Sequence, residues 1–251
     1  NATLGLPRLH ALMLLFDGTT GRPLAVIEGA ALTAVRTGAA SGAATDLLAR
    51  PDAETVAILG AGVQGRTQLE AVCAVRTIRR VWVFDPDTKV LEEFCREMSR
   101  ALQTPVVAAK SAQSAVRQAR IICTATSSSS PVFADADVKS GTHINAVGSY
   151  RPDVQEIPLE TVRRARIVVD HRESAMAEAG DLLVALQQQA IDEGRLQTEL
   201  GEIVGGEKPG RTSPDEITLF KSVGVAAQDI AAAAWIYEQA EQFGLGTEVP
   251  F

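Results

Sequence analysis

One stretch decides the fold of this chain of 251 residues: Val56-Ala57-Ile58-Leu59-Gly60-Ala61-Gly62-Val63-Gln64-Gly65. Its apolar start predicts a buried strand, and the spacing of its glycines predicts a tight turn that opens a helix. Gly60 permits the turn, Gly62 lets a pyrophosphate approach the backbone at the helix N-terminus, and Gly65 allows close packing of the helix on the strand. The stretch therefore predicts a dinucleotide-binding turn. The alternative is a glycine-rich turn in some other α/β protein.

A carboxylate stands where such a site needs one, at the end of the next strand. Asp85 closes the strand Val81–Phe84 and lies about twenty residues past the last glycine, where it would accept both ribose hydroxyls of the adenosine. The 2′-phosphate of NADP would meet a like charge there, so the sequence favours NAD. Lys89 or an arginine keeps NADP open. The alternative for Asp85 is a turn residue before Pro86.

Strands and helices alternate along most of the chain. The sequence predicts strands over 56–59, 81–84, 106–108, 121–124, 142–147, 167–169 and 217–220, and helices over 29–50, 63–75, 91–102 and from 225 to about 243. The strands are mostly apolar throughout, as strands buried on both faces must be. We therefore expect the α/β class, with a Rossmann-like, doubly wound parallel sheet. A hairpin of strands over 9–16 and 24–27 needs a second layer to cover its apolar face.

Composition and charge exclude several classes of protein. The chain is 46% hydrophobic and 22% charged, so it can build a core, and it has no apolar run long enough for a membrane helix. Its 24 basic and 31 acidic residues give a net charge of −7, which offers no patch for nucleic acid or an anionic membrane. Three widely spaced cysteines suit neither a disulfide framework nor a metal site, and fit a reducing compartment. We expect a cytoplasmic protein that binds a small molecule and no metal.

Small hydroxyl side chains follow a later strand of the predicted sheet. Thr124, Ala125 and Thr126 come at its carboxyl end, where open parallel sheets bind their ligands, and they fit a nicotinamide ribose. The alternative is a serine-rich loop without a ligand. His143 is more typical of a core or sheet-end histidine than of a proton donor.

Six segments resemble, in order, the ornithine cyclodeaminase and mu-crystallin family. They are Leu32–Ser41, Gly60–Gln64, Ile144–Gly148, Arg151–Asp153, Gly180–Asp181 and Phe220–Gly224. The resemblance implies a Rossmann-like dinucleotide-binding domain over 36–222. It also implies a smaller α+β domain for substrate binding and dimerisation, formed by 1–35 together with 223–251, and a homodimer. Because the opening Asn1–Pro7 reads as a mid-chain loop, we expect the N-terminal part of this domain to be missing.

The resemblance also implies roles for individual residues. Arg36 would clamp the substrate carboxylate through its planar fork, and Asp181 would orient the substrate, the nicotinamide or a water. The alternatives are a surface arginine and a helix cap. Further dinucleotide contacts are implied at Thr37, Val63, Gln64, Val147, Gly148, Lys221, Ser222 and Gly224. The family's enzymes carry a lysine, and usually another arginine, in a segment that would precede Asn1.

One position separates the activities that the family implies. Tyr150 stands where cyclodeaminases carry an aspartate that handles the distal amine of the substrate, and Asp153 lies in a different register. We therefore expect an NAD(P)-dependent oxidoreductase acting on the C–N bond of a small imino or amino acid, such as a cyclic ketimine carboxylate reductase or an amino acid dehydrogenase. Two alternatives stay open: an ornithine cyclodeaminase that forms proline and ammonia with catalytic NAD, and a mu-crystallin-like, dinucleotide-dependent binding protein without significant turnover.

Overall fold

A computed structural model describes residues 10–249 of the chain. Within them the backbone forms nine strands and nine α-helices. They divide into a smaller unit, which holds the described residues up to Arg36 and from Val225 onward, and a larger unit over Thr37–Gly224. The loop predicted for Asn1–Pro7 lies outside the described residues. Among the helices of residues 10–249, none combines the length and apolar character that a membrane crossing requires.

The smaller unit is a two-stranded antiparallel sheet packed against helices. The strands are β1 (Leu12–Phe16) and β2 (Pro23–Glu28), and the helices are the first turns of α1 (Gly29–Leu48) and the whole of α9 (Ala226–Phe243). Leu15, Leu32 and Ala233 form its buried centre. The predicted hairpin is confirmed, and the helices supply the layer that covers one of its faces.

The larger unit is a parallel sheet of seven strands. They are β3 (Thr55–Leu59), β4 (Arg80–Phe84), β5 (Val106–Ala108), β6 (Ile121–Thr124), β7 (His143–Ala146), β8 (Arg166–Val169) and β9 (Thr218–Lys221). Their order across the sheet is β5-β4-β3-β6-β7-β9-β8. The chain therefore runs from β3 toward one edge of the sheet and from β6 toward the other, where β9 returns to lie between β7 and β8. The strands β3 and β6 are neighbours, which makes the gap between their carboxyl ends the place where such sheets bind ligands.

Helices cover both faces of this sheet. They are the rest of α1, α2 (Val63–Val75), α3 (Thr88–Leu102), α4 (Ala112–Val116), α5 (Leu159–Arg164), α6 (Arg172–Glu178), α7 (Gly180–Gln187) and α8 (Leu200–Val204). One cluster packs Leu69 of α2 and Phe94 of α3 against the strands, and a second packs Val162 of α5 and Leu182 of α7. The predicted α/β class with a doubly wound parallel sheet is confirmed.

Small residues of α1 allow close packing against α2. A Cβ added to Gly38 would lie 2.6 Å from the carbonyl oxygen of Thr67, and one added to Gly42 would lie 3.2 Å from the Cβ of Ala71. The two helices therefore approach as closely as glycine permits. This contact brings α1 against the helix that follows the glycine-rich turn.

The register of the parallel strands brings their carboxyl ends to one edge. Leu59 pairs with both Phe84 and Thr124, and Ala146 pairs with Thr124 and Lys221. The residues that follow these strands therefore lie side by side along the edge. Some predicted bounds were wrong by a few residues: the helix predicted over 29–50 ends at Leu48, and the strand predicted over 142–147 covers His143–Ala146.

Candidate functional site

The glycine-rich turn between β3 and α2 has the geometry that its sequence predicts. Gly60 has a φ of +98°, and a Cβ there would lie 2.5 Å from the carbonyl oxygen of Ala125. A Cβ on Gly65 would overlap the carbonyl oxygen of Gly60. Gly62, by contrast, is the N-cap of α2, makes no side-chain cap, and has no atom within 4 Å of a built Cβ. An open backbone at a helix N-terminus fits the pyrophosphate of a dinucleotide.

The two residues after Gly62 begin α2 at the same helix end. Val63 is 65% exposed, and Gln64 is half-buried. The Oε1 of Gln64 has no hydrogen-bond partner among the described residues. Their contacts with a dinucleotide stay predictions.

Asp85 holds the glycine-rich turn from the end of the neighbouring strand. Its Oδ2 accepts the N–H of Ala61 at 2.9 Å, and its Oδ1 accepts the N–H of Asp87 at 2.9 Å. Asp85 therefore acts as a turn residue in the structure. Each of its carboxylate oxygens keeps a free lone pair, so these hydrogen bonds are compatible with the predicted ribose contact.

The loops after β6 and β7 meet on one buried carboxylate, that of Glu156. Its Oε1 accepts the N–H of Thr126 at 2.6 Å, and its Oε2 accepts the hydroxyl of Thr124 and the N–H of Gly148, both at 2.8 Å. Ala125 and Val147 lie in the same two loops and are half-buried. The residues predicted at 124–126 and 147–148 thus lie in two loops that Glu156 connects at the carboxyl edge, and their contacts with a dinucleotide stay predictions.

Asp181 and Lys221 form an ion pair with both side chains fully buried. The Oδ2 of Asp181 lies 3.2 Å from the Nζ of Lys221. The Oδ1 of Asp181 accepts the N–H groups of Glu156 and Ile157, at 2.7 and 2.9 Å. Asp181 therefore fixes the segment that carries Glu156, and its predicted role at the substrate or nicotinamide stays untested.

Ser222 and Gly224 converge on Asp170, which directly follows β8. The Oδ2 of Asp170 accepts the hydroxyl of Ser222 at 2.8 Å, the N–H of Val223 at 2.9 Å and the N–H of Gly224 at 2.6 Å. Gly224 adopts a φ of +88°, a conformation that favours glycine. The carboxylate thus shapes the loop after β9, for which the predicted dinucleotide contacts stay predictions.

Arg36 lies in the smaller unit, in contact with α9. Its Nε donates to the Oδ1 of Asp229 at 2.8 Å, and its Nη1 donates to the Oε1 of Gln228 at 3.4 Å. The side chain is 13% exposed, so it is a partly buried, paired arginine and not a surface one. The next residue, Thr37, is buried in the larger unit, where its carbonyl oxygen accepts the side-chain amide of Gln68 at 3.3 Å.

Comparison with known proteins shows which family this chain is part of. The sequence profile of the ornithine cyclodeaminase/mu-crystallin family matches residues 1–244. The chain belongs to this family. A Δ1-pyrroline-2-carboxylate reductase of Bacillus cereus is 40% identical over 252 residues, which cover 100% of this chain and 77% of the relative. The resemblance predicted from the six segments is confirmed.

Solved structures of family members superpose closely. The structure of Thermococcus litoralis Δ1-pyrroline-2-carboxylate reductase in complex with NADH and L-proline has a TM-score of 0.96 and 46% identity, and the match covers 99% of this chain and 77% of that one. An archaeal alanine dehydrogenase dimer with bound NAD has a TM-score of 0.93 and 36% identity, over 100% of this chain and 77% of that one.

Two side chains bear on the cyclodeaminase branch of the family. Tyr150 is 60% exposed just beyond the loop after β7. Asp153, which in principle could supply a carboxylate, accepts from Arg151 with both oxygens, Nε to Oδ1 at 3.0 Å and a closer contact from Nη2 to Oδ2. This pairing lowers the pKa of Asp153. The carboxylate is therefore ionised and already paired with a cation.

Glu156 and Asp170 were not predicted from the sequence. Asp170 follows the apolar strand Arg166–Val169, so the rule that singled out Thr124, a polar residue at the carboxyl end of a buried strand, would have found it. Glu156 follows no strand and belongs to no motif. Its position becomes visible only when the ends of β6 and β7 are brought together.

Proposed function

We propose that this member of the ornithine cyclodeaminase/mu-crystallin family reduces a cyclic ketimine carboxylate of the Δ1-pyrroline-2-carboxylate type to the cyclic amino acid. The chain is an NAD(P)-dependent oxidoreductase that acts on the C–N bond of a small imino or amino acid, as predicted from the sequence. One observation carries the choice of substrate. The relative crystallised with NADH and L-proline is 46% identical over 99% of the chain.

The chain's own residues supply a fitting cofactor site. The open backbone at Gly62 and the N-terminus of α2 would hold the pyrophosphate, and Asp85 would bind the adenosine ribose. The loops 124–126 and 147–148 would receive the nicotinamide half. NADH, when bound, supplies the hydride that reduces the C=N bond of the substrate, which also takes up a proton.

Substrate orientation falls to Arg36 in this proposal. A guanidinium pairs bidentately with a carboxylate, which fixes the plane of a small ketimine acid and the face that it offers. Orientation of this kind lowers the barrier by removing freedom before the reaction. A cyclic ketimine carboxylate has no distal amine, so it needs no second carboxylate in the site, which agrees with the tyrosine at position 150.

The experiment follows the absorbance of NADH and NADPH with purified protein and five- or six-membered cyclic ketimine carboxylates. Oxidation of NADH with ketimine, and no ammonia from ornithine with NAD, is the expected result. Ammonia and proline from ornithine would support the cyclodeaminase instead. Tight dinucleotide binding without turnover in either assay would support the binding protein.

We also propose a homodimer that uses the exposed face of the small sheet. Leu12, Leu14 and Phe16 alternate along β1, each more than half exposed, and Val26 pairs with Leu14 across the sheet. Contiguous apolar faces of this kind mark interaction surfaces. The archaeal alanine dehydrogenase relative is a dimer. Size-exclusion chromatography with light scattering should report a dimer, and Leu14→Lys should shift it to monomer.

The cysteines are compatible with the reducing compartment that we propose. Cys73, Cys95 and Cys123 are all free. Burial raises the pKa of Cys73 to about 11 and that of Cys123 to about 12, so both stay protonated at neutral pH. A cytoplasmic location stays a prediction, which fractionation of the native cells would check.

A further inference from the structure

Glu156 is a fully buried carboxylate at the edge where the nicotinamide half is proposed to bind. Its three hydrogen-bond donors come from two different strand ends, Thr124 and Thr126 after β6 and Gly148 after β7. A Cβ on Gly148 would overlap the Glu156 carboxylate, so the loop lies as close to it as glycine permits. The relative placement of the two loops therefore depends on this side chain.

The segment around Glu156 is itself fixed by α7. Asp181, in the first turn of α7, accepts the N–H of Glu156, and a Cβ on Gly180 would overlap the carbonyl oxygens of Arg151 and Val154. The hydroxyl of Ser149 closes the segment by donating to the carbonyl oxygen of Val154 at 2.8 Å. Glu156 is therefore anchored on the side of α7, while its carboxylate accepts hydrogen bonds from both loops.

The buried charges near this edge do not cancel. Glu156 and Asp181 are two carboxylates, and Lys221 is the one ammonium buried with them among the described residues. Burial, with a smaller contribution from the charge of Asp181, raises the pKa of Glu156 above its usual range, and the charge of Lys221 opposes this shift. A backbone N–H can only donate, so both N–H groups on Glu156 favour its ionised form. With Glu156 ionised, the three side chains together carry one net negative charge.

We propose that Glu156 is a positioning residue for the nicotinamide half of the cofactor, and that its charge strengthens binding of oxidised over reduced dinucleotide. The proposal rests on the proposed function, since it takes the loops 124–126 and 147–148 as the nicotinamide site. The oxidised nicotinamide ring is a cation and the reduced ring is neutral, so a buried anion close by stabilises the form that remains after hydride donation. Among the enzyme-bound states, Glu156 thereby favours the one in which the hydride has passed to the substrate.

The test compares the dissociation constants of NAD+ and NADH, by titration calorimetry and NADH fluorescence, for the wild type and Glu156→Gln. We expect the variant to weaken NAD+ binding about tenfold more than NADH binding, because it removes a charge in a low-dielectric site. A matched control is Glu160→Gln, the same change at an exposed glutamate on α5 that pairs with Arg163. It should leave both constants unchanged.

The outcomes separate the two proposals. A wild type that binds neither dinucleotide overturns the proposed function. A wild type that binds both, with Glu156→Gln weakening them equally or not at all, overturns the role of Glu156 alone. If circular dichroism shows that Glu156→Gln does not fold, the titrations of both proteins are made in sucrose, which is excluded from the protein surface and favours the folded state. An unchanged ratio of the NAD+ and NADH dissociation constants in the variant then overturns the proposal.

Discussion

Arg36 and Asp229 are joined by a hydrogen-bonded ion pair, with 2.8 Å between the guanidinium Nε and the carboxylate Oδ1. They are 193 residues apart in the chain and lie on α1 and α9 of the smaller unit. Hydrogen bonds from Nε to Asp229 and from Nη1 to Gln228 fix the orientation of the guanidinium, and its remaining N–H groups, on Nη1 and Nη2, can still bind a carboxylate at two points. The ion pair thus orients Arg36 for the binding of the substrate carboxylate that we propose.

Replacing Arg36 should impair substrate binding and spare the dinucleotide. Arg36→Ala is expected to raise the KM for a ketimine carboxylate about a hundredfold, since a charge-assisted bidentate pair is lost. The dissociation constant of NADH should change less than about twofold. Steady-state kinetics and fluorescence titration measure both, with exposed Arg22→Ala as the control. Equal losses in both quantities would contradict the carboxylate role.

Asp229 should act through Arg36 and not through the substrate directly. Asp229→Ala is expected to raise the KM for the ketimine acid roughly tenfold with little change in kcat, because Arg36 loses its fixed orientation. Asp229→Asn keeps an oxygen that accepts from the Nε, so it should restore most of the KM. An asparagine variant as impaired as the alanine variant would show that charge, and not orientation, is the important property.

Gly62 and Gly65 should respond differently to replacement by alanine, the first in NADH affinity and the second in stability. Gly62→Ala meets open space, so stability should change by less than about 0.5 kcal/mol, while NADH affinity falls more than about tenfold because the added methyl blocks the backbone. Gly65→Ala overlaps the Gly60 carbonyl oxygen and should cost about 2 kcal/mol of stability. Urea denaturation and NADH titration distinguish the two. Unchanged NADH affinity in Gly62→Ala would show that the pyrophosphate does not bind at this turn.

The sheet was predictable because buried parallel strands are short apolar runs and the glycine turn has a fixed spacing. The predicted helix over 63–75 has the same bounds in the structure. The helix predicted over 91–102 begins earlier, at Thr88, because the carboxylate of Asp87 accepts the N–H groups of Lys89 and Val90 as an N-cap. The N-cap that sets the start of this helix, Asp87, is therefore a local sequence signal that the predicted bounds did not include.

The buried network at the carboxyl edge was not predictable from one sequence. Glu156 contacts Thr124, 32 residues away, and Gly148, eight residues away, and no local pattern connects them. Asp181 was singled out by resemblance, yet its partner Lys221 follows from strand order, which places β9 beside β7. Such contacts depend on topology, which the sequence pattern leaves open.

Asp85 should set the choice between the two nicotinamide dinucleotides. Asp85→Ser removes the charge that would repel a 2′-phosphate, so the ratio of kcat/KM for NADPH over NADH should rise at least about tenfold. Asp87→Ser is the matched control, because it removes the same charge two residues along and serine still caps α3. Parallel assays with both cofactors give the ratio. The same shift in both variants would mean that general charge, and not the ribose contact, decides the preference.

His143 should make stability depend on pH. The ring is fully buried on β7, with Nδ1 2.9 Å from the Thr218 hydroxyl and Nε2 3.1 Å from the Asn145 side-chain oxygen. Burial, together with the positive charges of Arg211 and Arg76, lowers its pKa to about 3, and the hydrogen bond to Asn145 opposes that shift. The unfolded chain therefore binds a proton below about pH 6.5, while the folded protein stays neutral there until near pH 3.

The free energy of unfolding should accordingly fall as the pH drops through that window, by about 1.4 kcal/mol per unit from this one group. His143→Gln lacks the group, so the stability difference between wild type and variant should shrink with that slope on acidification. Urea denaturation at a series of pH values measures both proteins, and taking their difference cancels the carboxylates that titrate in both. A difference that stays constant with pH would show that His143 is protonated inside the folded protein, which would require its hydrogen bonds to Thr218 and Asn145 to rearrange.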